Sequence, residues 1–258
     1  MTAVFVHGVP ETGQLWDRLR ACLSTDSIAL DLPGFGVPTP DGFGATMDEY
    51  TQWLERALRE VDGPLDLVGH DWGALLVARV ATNSSVPVRS WATDVAGILH
   101  PDYVWHEFAQ LWQTPGAGEQ WAKASVEAAP GSPESPAAQL TGAGVPVEDA
   151  EALGGRFDAT MAACILALYR SATPNPYAHA AAQLAGPASA PGLVLQALLD
   201  PFDDAAASDE MAARLGARTE RLEGVGHWWM LEDPGTAAAV LERFWVEAAD
   251  GRSVEDMP

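Results

Sequence analysis

Residues 65–81 constrain the fold of this chain more tightly than any other stretch. Leu65 to Val68 reads as a short buried strand and Leu75 to Ala81 as an apolar helix, with only Gly69-His70-Asp71-Trp72-Gly73 to join them. So sharp a turn forces the side chain at its apex toward a strained backbone region. The flanking chain passes so close that glycine is the natural occupant of positions 69 and 73. Asp71 then projects above the sheet at a helix N-terminus. Free N–H groups and the helix dipole favour an anion there, which predicts an ionised, nucleophilic carboxylate near neutral pH. The plainer expectation is a helix cap, since aspartate is a favoured N-cap residue.

The rest of the chain supplies the rhythm that such a turn requires. Apolar runs predict strands near residues 3–6, 26–31, 65–69, 88–94, 192–197 and 217–222, with helices near 14–23, 46–61 and 235–248. In the second of these helices Met47, Tyr50, Leu54, Leu58 and Val61 recur at three- and four-residue steps, the stripe of a helix packed on a sheet. Strands alternating with helices predict a mostly parallel α/β sheet of about six strands. The gap of about a hundred residues between the fourth and fifth strands is far longer than a βα connection needs. This divides the chain into a core of residues 1–98 and 192–258 and an inserted helical cap of residues 99–191. The cap is rich in aromatics, with its helices broken by the Pro- and Gly-rich segment 130–146.

A formal net charge of −22 argues against nucleic acid or an anionic membrane as partner, because both reward clustered Lys and Arg. Cys22 and Cys164 are the only cysteines and have no metal-ligand spacing, so both are expected as buried free thiols. His100, His106 and His179 are scattered across the cap without ligand spacing, which predicts neither metal nor cofactor. With no basic leader segment and no long apolar run, a cytoplasmic chain is expected.

Three candidate catalytic groups fall just past predicted strand ends, in the order Asp71, an acid, His227. With its neighbours this order resembles the α/β-hydrolase fold, in the aspartate-nucleophile branch that holds epoxide hydrolases, haloalkane dehalogenases and haloacetate dehalogenases. The resemblance covers nearly the whole chain. It is carried by Val6-His7-Gly8-Val9-Pro10-Glu11 with Trp16, Asp31-Leu32-Pro33-Gly34-Phe35-Gly36, Gly69-His70-Asp71-Trp72-Gly73, Leu199-Asp200-Pro201-Phe202 and Gly226-His227-Trp228. It implies an alkyl ester on Asp71, hydrolysed by water that His227 activates, a task its titration range suits. It also implies an oxyanion hole from the backbone N–H groups of Val9 and Trp72. The family places its acid at either of two positions, and both carry a carboxylate here: Asp200, the preferred one, and Asp94. Two strands that usually precede the His-Gly-Val-Pro strand are lacking, which exposes a sheet edge where a homodimer, rather than a monomer, could pair.

The electrophile follows from the groups around the leaving atom. Trp72 occurs in both epoxide hydrolases and haloalkane dehalogenases. Val9-Pro10-Glu11 resembles the epoxide hydrolases, whereas the dehalogenases often carry Asn at the first of these positions. Epoxide oxygen needs a proton donor, and Tyr169 in Leu168-Tyr169-Arg170 resembles one such tyrosine. Tyr103 or Tyr177 is the candidate for a second, and Trp105 and Trp112 are candidate pocket walls. Haloacetate dehalogenases want arginine where this chain has Trp72. The expected function is hydrolysis of a small apolar epoxide to a diol, with haloalkane (or haloacetate) dehalogenation as the alternative. A non-catalytic binding protein or a lyase on the same scaffold is the alternative of another class.

Overall fold

The computed structural model describes residues 2–178, 184 and 186–250. Six strands form one parallel sheet: β1 (Thr2–Val6), β2 (Ser27–Leu30), β3 (Leu65–Gly69), β4 (Val88–Thr93), β5 (Gly192–Ala197) and β6 (Ala217–Leu222). Their order across the sheet is β2-β1-β3-β4-β5-β6. The central strands β1 and β3 are buried almost throughout, as a parallel sheet covered on both faces requires.

Alternation along the strands separates two cores. Val4, Val6, Leu65, Leu67, Trp91 and Val194 join the apolar cluster under α2 (Met47–Arg59), α3 (Trp72–Asn83) and α9 (Ala205–Leu215). Ala3, Phe5, Val68, Ala92, Leu193 and Leu195 face the other way, onto α1 (Asp17–Cys22) and α11 (Pro234–Ala249). Successive side chains of a strand point to opposite faces, so each strand feeds both layers. Helix α2 starts where the sequence says it should. Thr46 accepts from the Glu49 N–H while the Glu49 carboxylate accepts from the Thr46 N–H, a reciprocal cap.

Among the described residues, five α-helices lie between β4 and β5: α4 (Glu107–Gln113), α5 (Ala117–Glu127), α6 (Pro136–Ala143), α7 (Val147–Gly154) and α8 (Ala159–Ser171). Residues of α4 and α8 extend the first apolar cluster, and residues of α6 and α7 extend the second. The segment 130–146 differs from expectation, because it contains α6 rather than only a break. Ser135 caps the helix, Pro136 occupies its first turn without loss of a needed N–H, and Gly144 closes it in the left-handed region at φ +115°. The short α10 (Trp229–Glu232) was also not anticipated.

Cys164 is buried, but Cys22 is exposed, contrary to expectation: it is the last residue of the six-residue α1, of which only Leu19 is buried. Among the described residues no helix is long and apolar enough to cross a membrane.

Candidate active site

Asp71 sits between β3 and α3 with φ +50° and ψ −119°, a conformation an L-residue adopts only when its surroundings enforce it. Three contacts do so. The His70 N–H donates to the Val6 carbonyl at 3.0 Å, and the Asp71 N–H donates to Asp94 Oδ1 at 3.0 Å. The close approach does the rest: a Cβ on Gly69 would collide with the Gly73 carbonyl, and one on Gly73 with the Val6 carbonyl. The Asp71 side chain makes no capping bond to α3, so it is free for another use. Its Oδ2 accepts from the Val9 N–H at 2.9 Å.

Burial is the largest influence on the Asp71 carboxyl and lifts its pKa to about 6; His227, His70 and the Trp72 backbone N–H pull the other way. Desolvation thus raises this pKa, yet near neutral pH the carboxyl is still mostly ionised, as the sequence suggested.

His227 follows β6 by one loop, and its Nδ1 lies 2.7 Å from Asp200 Oδ2. The other oxygen of Asp200 accepts from the Phe202 N–H at 2.8 Å, which fixes the carboxylate just after β5. Burial raises the pKa of Asp200, but His227 outweighs this and the net shift is downward, so the carboxylate is ionised and can only accept. In the neutral imidazole His227 Nδ1 thus carries the proton and Nε2 the lone pair. Burial disfavours the charged imidazole, yet Asp200 reverses the balance and the His227 pKa is raised.

Of the two candidate acids, Asp94 serves the elbow and not His227. Besides the Asp71 N–H, it meets His70 Nδ1 at 2.5 Å and accepts from the Trp229 indole at 2.7 Å. His70 Nε2 lies 3.4 Å from Glu11 Oε1, and Glu11 also accepts from the Trp228 indole at 2.6 Å and the Gly8 N–H at 3.0 Å. Glu11 and His70 are fully buried. Burial opposes the charge on His70, but Asp94 and Glu11 prevail and hold its pKa well above the usual value. Burial likewise opposes ionisation of Glu11, and His70 brings its pKa down to about 2. This buried carboxylate–imidazolium–carboxylate row had no assigned role in the sequence. Its one signal there was a charged residue inside each of two tight turns.

A cavity opens above Asp71, lined by Val9, His227, Tyr169, Trp112, His106 and Phe202 among others. Tyr169 is buried, and that burial holds its pKa well above normal, so it keeps its proton. The other expected pocket residues divide. Trp112 lines the cavity. Trp105 stands behind it, stacked on the buried Trp72 ring at 5.7 Å and 16°, with its indole N–H donated to the Ala172 carbonyl. Tyr103 lines a second, more polar cavity, which shares His106 and Phe202 with the first, although it remains within electrostatic reach of Asp71. Tyr177 is buried elsewhere, with its hydroxyl against the Met47 sulfur at 3.9 Å. His106, which caps α4, was missed; burial pushes its pKa down to about 4 and leaves it neutral.

Among the described residues no group of three or more His, Cys, Asp and Glu side chains is placed to hold a metal ion. His100 lies 3.2 Å from Glu210, and His179 lies outside the described residues.

No curated protein matches the chain by sequence. Among solved structures it is similar to the haloalkane dehalogenase DbeA from Bradyrhizobium elkani USDA94, at 20% identity and a TM-score of 0.75, over 97% of this chain and 91% of that one. It is similar to the same degree to a Bacillus megaterium epoxide hydrolase in complex with an inhibitor, at 16% identity and a TM-score of 0.75, over 94% and 92%. At such identities the likeness is one of fold. The model of the alpha/beta hydrolase family matches residues 3–240, and the chain belongs to that family.

Proposed function

We propose that this protein is an epoxide hydrolase that works through an ester of Asp71. The observation that carries the reading is one cavity lined by Asp71, His227 and the protonated Tyr169, with Val9 N–H already on Asp71 Oδ2. Asp71 Oδ1 attacks an oxirane carbon, the carbon–oxygen bond breaks, and its electron pair stays on oxygen, which takes the Tyr169 proton. His227 Nε2 then accepts a proton from water, and the hydroxide adds to the Asp71 carboxyl carbon. Charge develops on Oδ2, where the Val9 N–H already donates, with the Trp72 N–H as the expected second donor. Collapse expels the diol oxygen, which is protonated from His227, while Asp200 stabilises the imidazolium between the two transfers; the proton that the hydroxide brought to the Asp71 carboxyl then returns to the Tyr169 phenolate, which restores both groups. Helices α4–α8, within residues 99–191, act as a cap that supplies Tyr169 and keeps water scarce.

Haloalkane dehalogenation is the second reading, favoured by the Trp112 indole N–H, which is buried beside Tyr169 without an acceptor. A panel of small epoxides and 1-haloalkanes separates the two. Diol formation without halide release supports the first reading, halide release without diol supports the second, and turnover of neither removes both.

A further inference from the structure

The helical wall of the Asp71 cavity carries a short hydrogen-bond chain that no catalytic step uses. Trp121 and Ser125 on α5 and Gln139 on α6 all line the cavity. The Trp121 indole N–H donates to Gln139 Oε1 at 2.9 Å. The Gln139 amide in turn donates to Ser125 Oγ at 2.9 Å and to the Glu134 carbonyl at 2.6 Å.

The polarity of this chain is fixed at its start, because an indole N–H can only donate. Gln139 must therefore present its oxygen to Trp121 and its nitrogen to Ser125, and the Ser125 oxygen is an acceptor. The hydroxyl proton of Ser125 is left to point onward. Thr51, Thr82 and Thr141 in other helices return that proton to a carbonyl one turn back, Thr141 to Ala137 at 2.9 Å. Ser125 makes no such bond, although it is only 3% exposed. A buried hydroxyl rarely leaves its proton unmatched, because the desolvation cost is then uncompensated. The neighbouring Trp112 ring, 5.1 Å from Trp121, also lines the cavity, and its buried indole N–H likewise lacks an acceptor. Donors without acceptors thus collect along a wall otherwise built of Phe157, Leu140, Ala143 and Pro136.

Building on the epoxide reading, we propose that this wall is a binding subsite for a hydrogen-bond acceptor, a carbonyl or ether oxygen, carried on the apolar part of the substrate away from the oxirane. The preferred substrate is then an apolar epoxide bearing one such oxygen, and not a plain hydrocarbon epoxide. Ser125 is its donor, with Gln139 and Trp121 as positioning residues that set the direction of the Ser125 hydroxyl.

Binding without chemistry tests this. Fluorescence of the cavity tryptophans is titrated with 4-phenylbutan-2-one and with butylbenzene, in the wild type, Ser125→Ala and Ser125→Thr. One net hydrogen bond predicts that the ketone binds roughly fivefold more tightly than the hydrocarbon in the wild type. The ratio should fall toward one in Ser125→Ala and be kept by Ser125→Thr, which restores the hydroxyl. A ratio of one in the wild type, or a ratio that survives Ser125→Ala, overturns the subsite. Because neither ligand reacts, ketone preference without any epoxide turnover would sink the epoxide reading alone. Epoxide turnover without ketone preference would sink only the subsite.

Discussion

His70 Nδ1 lies 2.5 Å from Asp94 Oδ2, beneath the turn that carries Asp71. Asp94 also accepts the Asp71 backbone N–H, so one carboxylate both neutralises a buried imidazolium and holds the strained residue in place. It has no role at His227, whose partner is Asp200.

The two acids should therefore fail differently. Asp200→Asn is expected to fold normally and to lose roughly 10²- to 10⁴-fold in ester hydrolysis, the usual range for impaired general-base catalysis. Asp94→Asn removes one partner of a buried ion pair and is expected to cost about 3 kcal/mol or more in stability. Urea denaturation beside single-turnover kinetics separates the two; a stable Asp94→Asn protein with a pure hydrolysis defect would reverse the assignment.

The same row gives stability a pH dependence. The folded pKa of His70 is raised above its unfolded value, so its contribution is fully present below about 6.5 and is lost as pH rises through the higher folded value. Glu11 is shifted the opposite way, to about 2, so its contribution is present above its unfolded pKa and lost as pH falls toward 2. The stability difference between wild type and His70→Gln should thus be greatest near pH 5–6 and shrink in alkali. A difference that grows with pH would show His70 to be neutral.

Ester formation needs ionised Asp71. Its rate, followed by rapid quench, should fall as pH drops through about 6, where burial has placed the Asp71 pKa. A limb at the ordinary aspartate value near 4 would mean that the cavity is wetter than its lining implies.

Tyr169→Phe removes the one hydroxyl that lines the cavity from α8. Epoxide opening should slow by roughly 10²-fold or more, as loss of a proton donor does, with the melting temperature little changed. Unaltered epoxide turnover would pass the donor role to another group, His106 or Tyr103.

The sheet was legible in the sequence because each strand is an apolar run bounded by turns, and the elbow because Gly69 and Gly73 bracket a strand-to-helix junction too short for anything but a sharp turn. Helix α6 was hidden because it is short and its apolar residues do not gather on one face, only Leu140 being buried; it is specified by Ser135, Pro136 and Gly144 at its ends. The pairing of Glu11 with His70 and Asp94 could not be read, since it joins three loops distant in sequence and rests on burial. The same holds for the separation of Tyr103 from Tyr169. Both rings pack edge-on against Trp105, yet of the two only Tyr169 lines the cavity that holds Asp71.

Everything proposed for catalysis passes through a covalent ester on Asp71. His227→Gln exposed to a small epoxide and examined by intact mass spectrometry tests it most directly. The account predicts a mass increase equal to one epoxide, mapped to the peptide containing Asp71 and absent in Asp71→Asn. Diol formation by the wild type with no adduct on Asp71 in His227→Gln would contradict it.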